Sequence, residues 1–559
     1  MSSAFSDWSG LPLGVTVASD AVKGRKLLAS RNFAVGEVVI CEIPVAIVYH
    51  NGGDEGIGAT LSEVENAVWT ALPDIAAKSD SDVDLLRMVL KLFLVVNRPI
   101  PGSSSNVMVS SKEGRVVCGT ASSVLLLESH LLSQDAAWQS SLTAATREMA
   151  SLLQRTDLDQ SVVQQQMLTL ASQVLTNAYG VSPLGEPNRS LGFCMLPVVG
   201  LLMNHSCAPN VHYAFHPVSS SSGGDKAMHF RALRPIAQGE EFCTFYVDIL
   251  DDTPTRRAAL KTSKNFTCSC PRCSGWDSVL AKVERGETTD LLADLLADDL
   301  NLEGAGTGGG GSKGSGSGKG SKAKSKTQAK AKAKATDVSP ALQLADASLC
   351  GLSCPHCPLG CGIIISRLGG GKSDFAACLL CGAKVVTAAA EAAITQFRDS
   401  WSEARSASTA TSSNREQAAV ATERLLSLAD PLYKQTGGGG GGGVGGGAST
   451  AGRRINSRNP ALLLHPGHAI LLDAYVRLGS LSLGLGQHQR AVQCIDRAIR
   501  IMTPTLLPEH HPEAISLLEN MADALGMGSS GERDREREKE RGDLLARIAR
   551  LRTLCYGES

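Results

Sequence analysis

The sequence predicts an α+β fold: a mostly β core split by an α-helical insertion, then cysteine-rich segments and an α-helical C-terminal region. Three observations predict it. Alternating apolar and polar residues run through 11–50 and return from Gly192 to Tyr246, whereas a helical period fills the interval from about Leu61 to Tyr179. The cysteines, 16 in 559 residues, gather at 268–273 and 350–381. Paired helical patterns follow between about 461 and 525.

The totals set the frame. A chain this long forms several domains, each with its own core. Its 54 basic and 55 acidic side chains leave a formal charge of -1, which selects no partner by global electrostatics. Hydrophobic residues make up 43%, as in a globular protein, and no run of about 18 apolar residues suggests a membrane span. MSSAFSDWSG lacks the basic flank and apolar stretch of a secretory signal. A reducing compartment, nucleus or cytoplasm, is therefore expected, where clustered cysteines bind metal more often than they pair.

Along the chain, 11–50 reads as short strands with a turn at "AVGE". The insertion, 51–180, contains "DLLRMVLKLFLVV", which sets Leu85, Met88, Val89 and Leu92 on one helix face. Residues 181–250 supply the strand-like "VHYAF", "MHFRALR" and "EFCTFYV", and 251–280 holds the first cysteine cluster. A Gly/Ser/Lys stretch, 304–336, and a glycine run, 437–447, cannot bury enough apolar surface to offset ordering entropy and are expected to be disordered. The first carries eight lysines between Lys313 and Lys334 and no acid among them. It fits a solvated linker better than a nuclear-import or nucleic-acid patch, so direct nucleic-acid binding is not expected. Beyond it come a ribbon-like segment (345–385), a helix (386–433) and a helical region (458–555) whose charged tail reads as an exposed helix.

Three motifs belong together: "KGRKLLA" (23–29), "GLLMNHSCAPNVHYAF" (200–215) and "RPIAQGEEFCTFYVDILDDTPTRRAALKTSKNFTCSCPRC" (234–273). In order and spacing they resemble the SET domain of lysine methyltransferases, in its Smyd-type branch. That pattern has N-H-S-C-x-P-N, then G-E-E with a tyrosine shortly after, then F-x-C-x-C-x-x-C. The resemblance covers roughly 11–275. It implies a mostly β SET core and an S-adenosylmethionine-dependent protein-lysine N-methyltransferase, with a lysine-bearing histone or non-histone protein as substrate.

The chemistry of methyl transfer suits such residues. The reaction is an in-line displacement at a sulfonium-bound carbon, which needs positioning and a neutral amine. A free lysine has a pKa near ~10.4, so neutralising it at about pH 7.4 costs about 4 kcal/mol. Desolvation in an apolar channel lowers that cost. By resemblance Tyr246 is the catalytic tyrosine that orients the amine. Lys23, Gly24, Arg25, Asn177, Asn204, His205, Tyr246 and Phe266 are the implied cofactor contacts, with Phe266 stacking on adenine. Tyr213 and Phe245 fit either the channel or ordinary sheet packing. Lys26 stands where the family usually has glycine, and a side chain there would weaken cofactor binding if it met the ligand.

Cys268, Cys270 and Cys273 form C-x-C-x-x-C, three thiolates that need a fourth ligand for tetrahedral zinc. The resemblance supplies Cys207. Cys354-x-x-Cys357 and Cys378-x-x-Cys381 read as the two knuckles of a zinc ribbon, with Cys350, His356 and Cys361 as nearby alternatives. A MYND finger, usual in the Smyd insertion, needs seven cysteines and a histidine, and 51–180 contains only Cys118. Near the C-terminus, Leu478, Ala491 and Ala498 around "LGQHQRA" resemble a tetratricopeptide helix pair, a TPR-like surface for protein partners. Lys26 and the missing finger support an alternative, a catalytically inactive SET scaffold. A zinc hydrolase or a Cys207 nucleophile fits less well, because thiolates closed around a metal are not free to attack.

Overall fold

The computed structural model describes residues 11–20, 24–50, 61–97, 116–118, 121–130, 136–153, 158–184, 186–187, 189–217, 226–285, 340–357, 362–365, 375–433, 462–503, 505–527 and 533–557. Lys23, Cys361, the stretch 304–336 and the run 437–447 lie outside the described residues.

The α+β class holds. Strands Val15–Asp20 and Gly24–Ala29 form an antiparallel hairpin. Val38–Ile43 lies inside a four-stranded sheet, parallel to Val116–Cys118 and antiparallel to Lys226–Ala232, which in turn pairs with Val211–Pro217. In a second sheet Gly192–Met195 pairs with both Ala46–Tyr49 and Ala178–Val181. Strands from before and after the insertion are thus neighbours in both sheets. The two stretches of alternating sequence build one core, and the insertion leaves and rejoins it.

The insertion is helical: Glu63–Ser79, Val83–Asn97, Ala136–Leu153 and Gln160–Asn177 are its long helices. Ser62 and Glu65 close a capping box that satisfies two amides at the start of the first. In the second, the predicted Leu85, Met88, Val89 and Leu92 are buried, and so are Leu86, Leu90 and Phe93. That helix is apolar nearly all round because it sits inside the insertion's core. Among the described residues no helix is long and apolar enough to cross a membrane.

A second core joins the ribbon to the C-terminal helices. Four short antiparallel strands, Leu352–Ser353, Ile363–Ile365, Phe375–Cys378 and Lys384–Val386, pack Leu352 and Ile364 against Ile394, Trp401 and Leu464. The single helix expected over 386–433 is two, Thr387–Ser406 and Ser412–Ala429. The Ser/Thr-rich "SASTAT" between them offers hydroxyls that compete for the backbone, and Thr411 caps the second helix by accepting from the Asn414 amide. Ala469–Gly484, His488–Met502, Pro512–Gly526 and Arg533–Tyr556 complete the region. The tail is helical as expected, but its second half is not simply exposed. Leu544, Ile548, Cys555 and Tyr556 are buried beside Ile515 and Leu518.

The two cores meet at a buried charge cluster. Asp346, on helix Pro340–Ser348, accepts from Arg256 at 3.0 Å and from Arg272 at 2.6 and 2.9 Å. All three side chains are no more than 1% exposed. Burial pushes the Asp346 carboxyl upward, and the two guanidiniums more than offset it, holding it below the usual carboxylate range. Arg272 also donates to the carbonyls of Cys207 and Ile249 at 2.9 and 2.8 Å. Replacing Asp346 with alanine strands two cations in a dry interior. The expected loss is about 3–5 kcal/mol, read from the urea midpoint of unfolding. A loss below about 1 kcal/mol would show that the cluster does not hold the cores together.

Candidate active site

The segment Met203–Asn210 is placed from behind by a buried acid. Glu42, fully buried, accepts from the Val198 and Val199 amides at 2.9 and 2.8 Å, where helix Pro197–Leu202 begins. Burial raises its pKa to about 8 against the pull of those two donors. The helix ends at Met203, and Asn204–His205 then pairs in parallel with Cys243–Thr244. Asn204 Nδ2 donates to the Arg25 carbonyl and to Glu241 Oε1, both at 2.9 Å. Asn210 ties the same two strands from the other end, donating to the Glu241 carbonyl and accepting from the Cys243 amide, each at 2.8 Å. The "GEE" and "NHSCAPN" motifs are therefore one braced unit.

His205 links this unit to the cysteines. Its Nδ1 accepts from the Tyr246 amide at 3.1 Å, so Nε2 carries the ring proton and donates to Cys207 Sγ at 3.2 Å. Burial lowers its pKa to about 4, which keeps the ring neutral, and the Tyr246 amide selects the tautomer. The sequence reading puts Asn204 and His205 at the cofactor. The structure puts both at a cavity wall, with the imidazole also serving as the strut between Tyr246 and Cys207.

The cavity has a volume of about 910 Å³, within the ~300–1,000 Å³ range of small-molecule sites. Gly24, Arg25, Asn177, Asn204, His205, Tyr246 and Phe266 all line it. Gly24 has φ +73°, a conformation that disfavours side chains, and open space lies where its Cβ would be. Strand alternation turns Arg25 and Lys26 to opposite faces, and Lys26 is absent from the wall. The substitution singled out in the sequence therefore adds no bulk to the cavity. Phe266 is 36% exposed on the cavity wall, which leaves an aromatic side chain available to a stacking partner. Asn177 spends its amide protons on the Glu128 and Gln173 carbonyls at 2.9 and 2.8 Å, tying the segment that carries Glu128 and His130 to the cavity wall.

Tyr246 donates its hydroxyl proton to the Met203 carbonyl at 2.6 Å. Burial pushes its pKa well up, so it stays a phenol, with oxygen lone pairs left to accept. Tyr213 and Phe245 stack at 5.2 Å between centroids and 19° between planes. They serve both roles considered for them, lining the cavity and packing against the two cores. Sequence reasoning missed Glu128, His130, Asp248, Lys264 and Glu513 on the wall. Of these, Asp248, two residues after Tyr246, and Lys264, two before Phe266, lie within the 234–273 motif.

Behind this wall the four predicted sulfurs meet. Those of Cys207, Cys268, Cys270 and Cys273 lie within 4.8 Å of one another, with Cys207 at 3.9 Å from Cys268 and 3.5 Å from Cys273. A tetrahedron with metal–sulfur bonds of ~2.3 Å has edges of about 3.8 Å, so the donor set fits zinc. Amides of Cys207 and Cys270 point at Cys270 and Cys268 sulfurs, each at 3.4 Å, as thiolates prefer. In the ribbon, Cys354 lies 3.6 Å from Cys381 and Cys357 lies 3.8 Å from Cys378, the same fit. Cys350 stands outside that group, its thiol on the Ala347 carbonyl.

Residues 24–247 match the SET domain family. Over 124 residues the chain is 35% identical to N-lysine methyltransferase SMYD2 of Homo sapiens, covering 22% of this chain and 26% of that protein. Over 136 residues it is 30% identical to N-lysine methyltransferase SMYD2-B of Danio rerio, covering 24% and 29%. The chain thus spans less than a third of the length of these curated relatives. The solved SET domain of LSMT bound to lysine and AdoHcy aligns with 46% of this chain and 53% of its own, at 16% identity and a TM-score of 0.25, too loosely to carry an argument. The Smyd-like SET resemblance read from the motifs is borne out over this region.

Metal content tests the first cysteine group. Cys270→Ser is expected to lower zinc from about two ions per chain to about one, measured by plasma emission on dialysed protein. Unchanged zinc would remove Cys270 from the ligand set.

Proposed function

We propose that the chain is an S-adenosylmethionine-dependent protein-lysine N-methyltransferase whose cofactor and target amine share this cavity. One observation carries the reading. Residues as far apart as Gly24, Asn177, Asn204, Tyr246 and Phe266 converge on one cavity, and the Tyr246 hydroxyl keeps its lone pairs. The relatives' activity over the SET region supports it.

The residues fit such a cofactor by chemistry. Phe266 offers an apolar face, Gly24 and Arg25 an approachable backbone, and Asn204 an amide oxygen. When bound, S-adenosylmethionine supplies a methyl group on a positively charged sulfur. The chain's own part is to position and desolvate. Tyr213, Phe245 and Tyr246 exclude water from an incoming lysine side chain, which lowers the cost of presenting a neutral amine. The Tyr246 oxygen accepts an amine N–H and aims the nitrogen lone pair, while its own O–H stays hydrogen-bonded to the Met203 carbonyl. Tyr246 is thus an orienting group rather than a base.

Zinc in both four-cysteine groups would be structural, because all four positions are thiolates and none is open. The first site would hold the segment bearing Phe266 against the cavity, and the second would rigidify the ribbon on the C-terminal helices. Those helices reach the cavity through Glu513, which supports a part in receiving a protein substrate, histone or not, and a TPR-like arrangement of them would suit protein partners. Work in the nucleus or cytoplasm would keep the thiols reduced. The scaffold alternative loses support with Lys26 off the cavity wall.

The test is transfer of labelled methyl from S-adenosylmethionine to core histones and to a panel of lysine-containing proteins. Tyr246→Phe should lower the rate at least about 100-fold and leave cofactor affinity within about twofold. Undiminished transfer by the variant would overturn the role given to the hydroxyl.

A further inference from the structure

The cations near the cavity are not alike. Arg256 and Arg272 are both paired with Asp346, and Arg25 has Glu128 at 3.9 Å. Lys264 differs. It ends helix Thr253–Lys264, and Asn265, at φ +56°, turns the chain so that Lys264 and Phe266 both reach the cavity wall. Its ammonium donates to the Thr176 carbonyl and lies 5.4 Å from the centre of the Tyr246 ring. Among the described residues no carboxylate pairs with it. A half-buried ammonium with three protons, one carbonyl partner and one aromatic face has capacity left for an anion. Desolvating a cation is costly unless opposite charge arrives with the ligand.

We infer that Lys264 receives the carboxylate of the cofactor's amino-acid group and so selects for ligands that carry one. This rests on the reading of the cavity as an S-adenosylmethionine site. That cofactor has one anionic group, its carboxylate, and two cationic ones, the amine and the sulfonium. An ammonium on the wall attracts the first and repels the others, so it sets which end of the ligand lies beside Thr176. A simpler role also exists. Thr176 is in the last turn of helix Gln160–Asn177, where a lysine is favoured by the helix dipole whether or not a ligand binds.

A pair of ligands separates the two roles. S-adenosylhomocysteine carries the carboxylate, and 5′-deoxy-5′-(3-aminopropylthio)adenosine keeps the adenosine, thioether and amine without it. Both are titrated by calorimetry into the zinc-loaded full chain, as wild type, Lys264→Met and Lys264→Arg. Wild type is expected to prefer the carboxylate-bearing ligand by at least tenfold. Lys264→Met should reduce that preference to threefold or less, with affinity for the decarboxylated ligand held within twofold, and Lys264→Arg should restore most of it. Equal weakening of both ligands by Lys264→Met would assign the lysine to helix capping and overturn the inference, as would an unchanged preference. Failure of wild type to bind either ligand would instead overturn the cofactor reading itself, and this inference with it.

Discussion

Four sulfurs converging behind the His205 ring are the contact on which the cavity depends. Cys207 belongs to the β core, and Cys268, Cys270 and Cys273 belong to the segment after helix Thr253–Lys264. Joining them brings Phe266 and Lys264 to face Asn204 and Tyr246. His205 transmits the placement, one nitrogen on Cys207 and the other on the Tyr246 amide. The same five residues, Asn204 to Ala208, thus serve a ligand-facing wall and a metal-type cluster, which is why the sequence sets asparagine, histidine and cysteine so close together.

A closed thiolate site with a divalent ion is an anion in a poorly solvated place, and such a charge needs counter-charge nearby. Arg256 and Arg272 supply it from the adjoining helices, and Arg272 also holds the Cys207 carbonyl. Asp346, on a helix that follows the lysine-rich stretch, accepts from both guanidiniums and fixes where they lie. Helix Pro340–Ser348 therefore belongs electrostatically to the SET region, although about 50 residues separate it from helix Pro271–Arg285. Trp276 and Val279 packing against Ala347 and Cys350 reinforce the junction.

What could be read from the sequence was what the chain keeps local. Alternation foretold the β–helical–β order, and C-x-C-x-x-C and the paired C-x-x-C knuckles foretold both sulfur groups, because those ligands lie within a few residues of each other. Cys207 came only by resemblance, since 61 residues separate it from Cys268. Asp346 in "QLADAS" looks like any acid on a helix surface, and nothing local marks its burial between two arginines. Lys264 and Glu513 became visible only when the fold brought distant helices to one wall. Lys26 was the opposite case. The period of two already assigned it to the face away from Arg25, so its departure from the family glycine weighed too heavily. The break at 407–411 was legible in its serines and threonines, but helical periodicity on either side concealed it.

The most direct test of the cavity's identity is calorimetric titration of the purified, zinc-loaded chain with S-adenosylmethionine, with Asn204→Ala in parallel. The structure predicts one ligand per chain and at least tenfold weaker binding in the variant, because the Asn204 amide holds the Arg25 backbone at the wall. A folded, zinc-loaded wild type that takes up no S-adenosylmethionine would contradict the reading and leave the SET region as a scaffold.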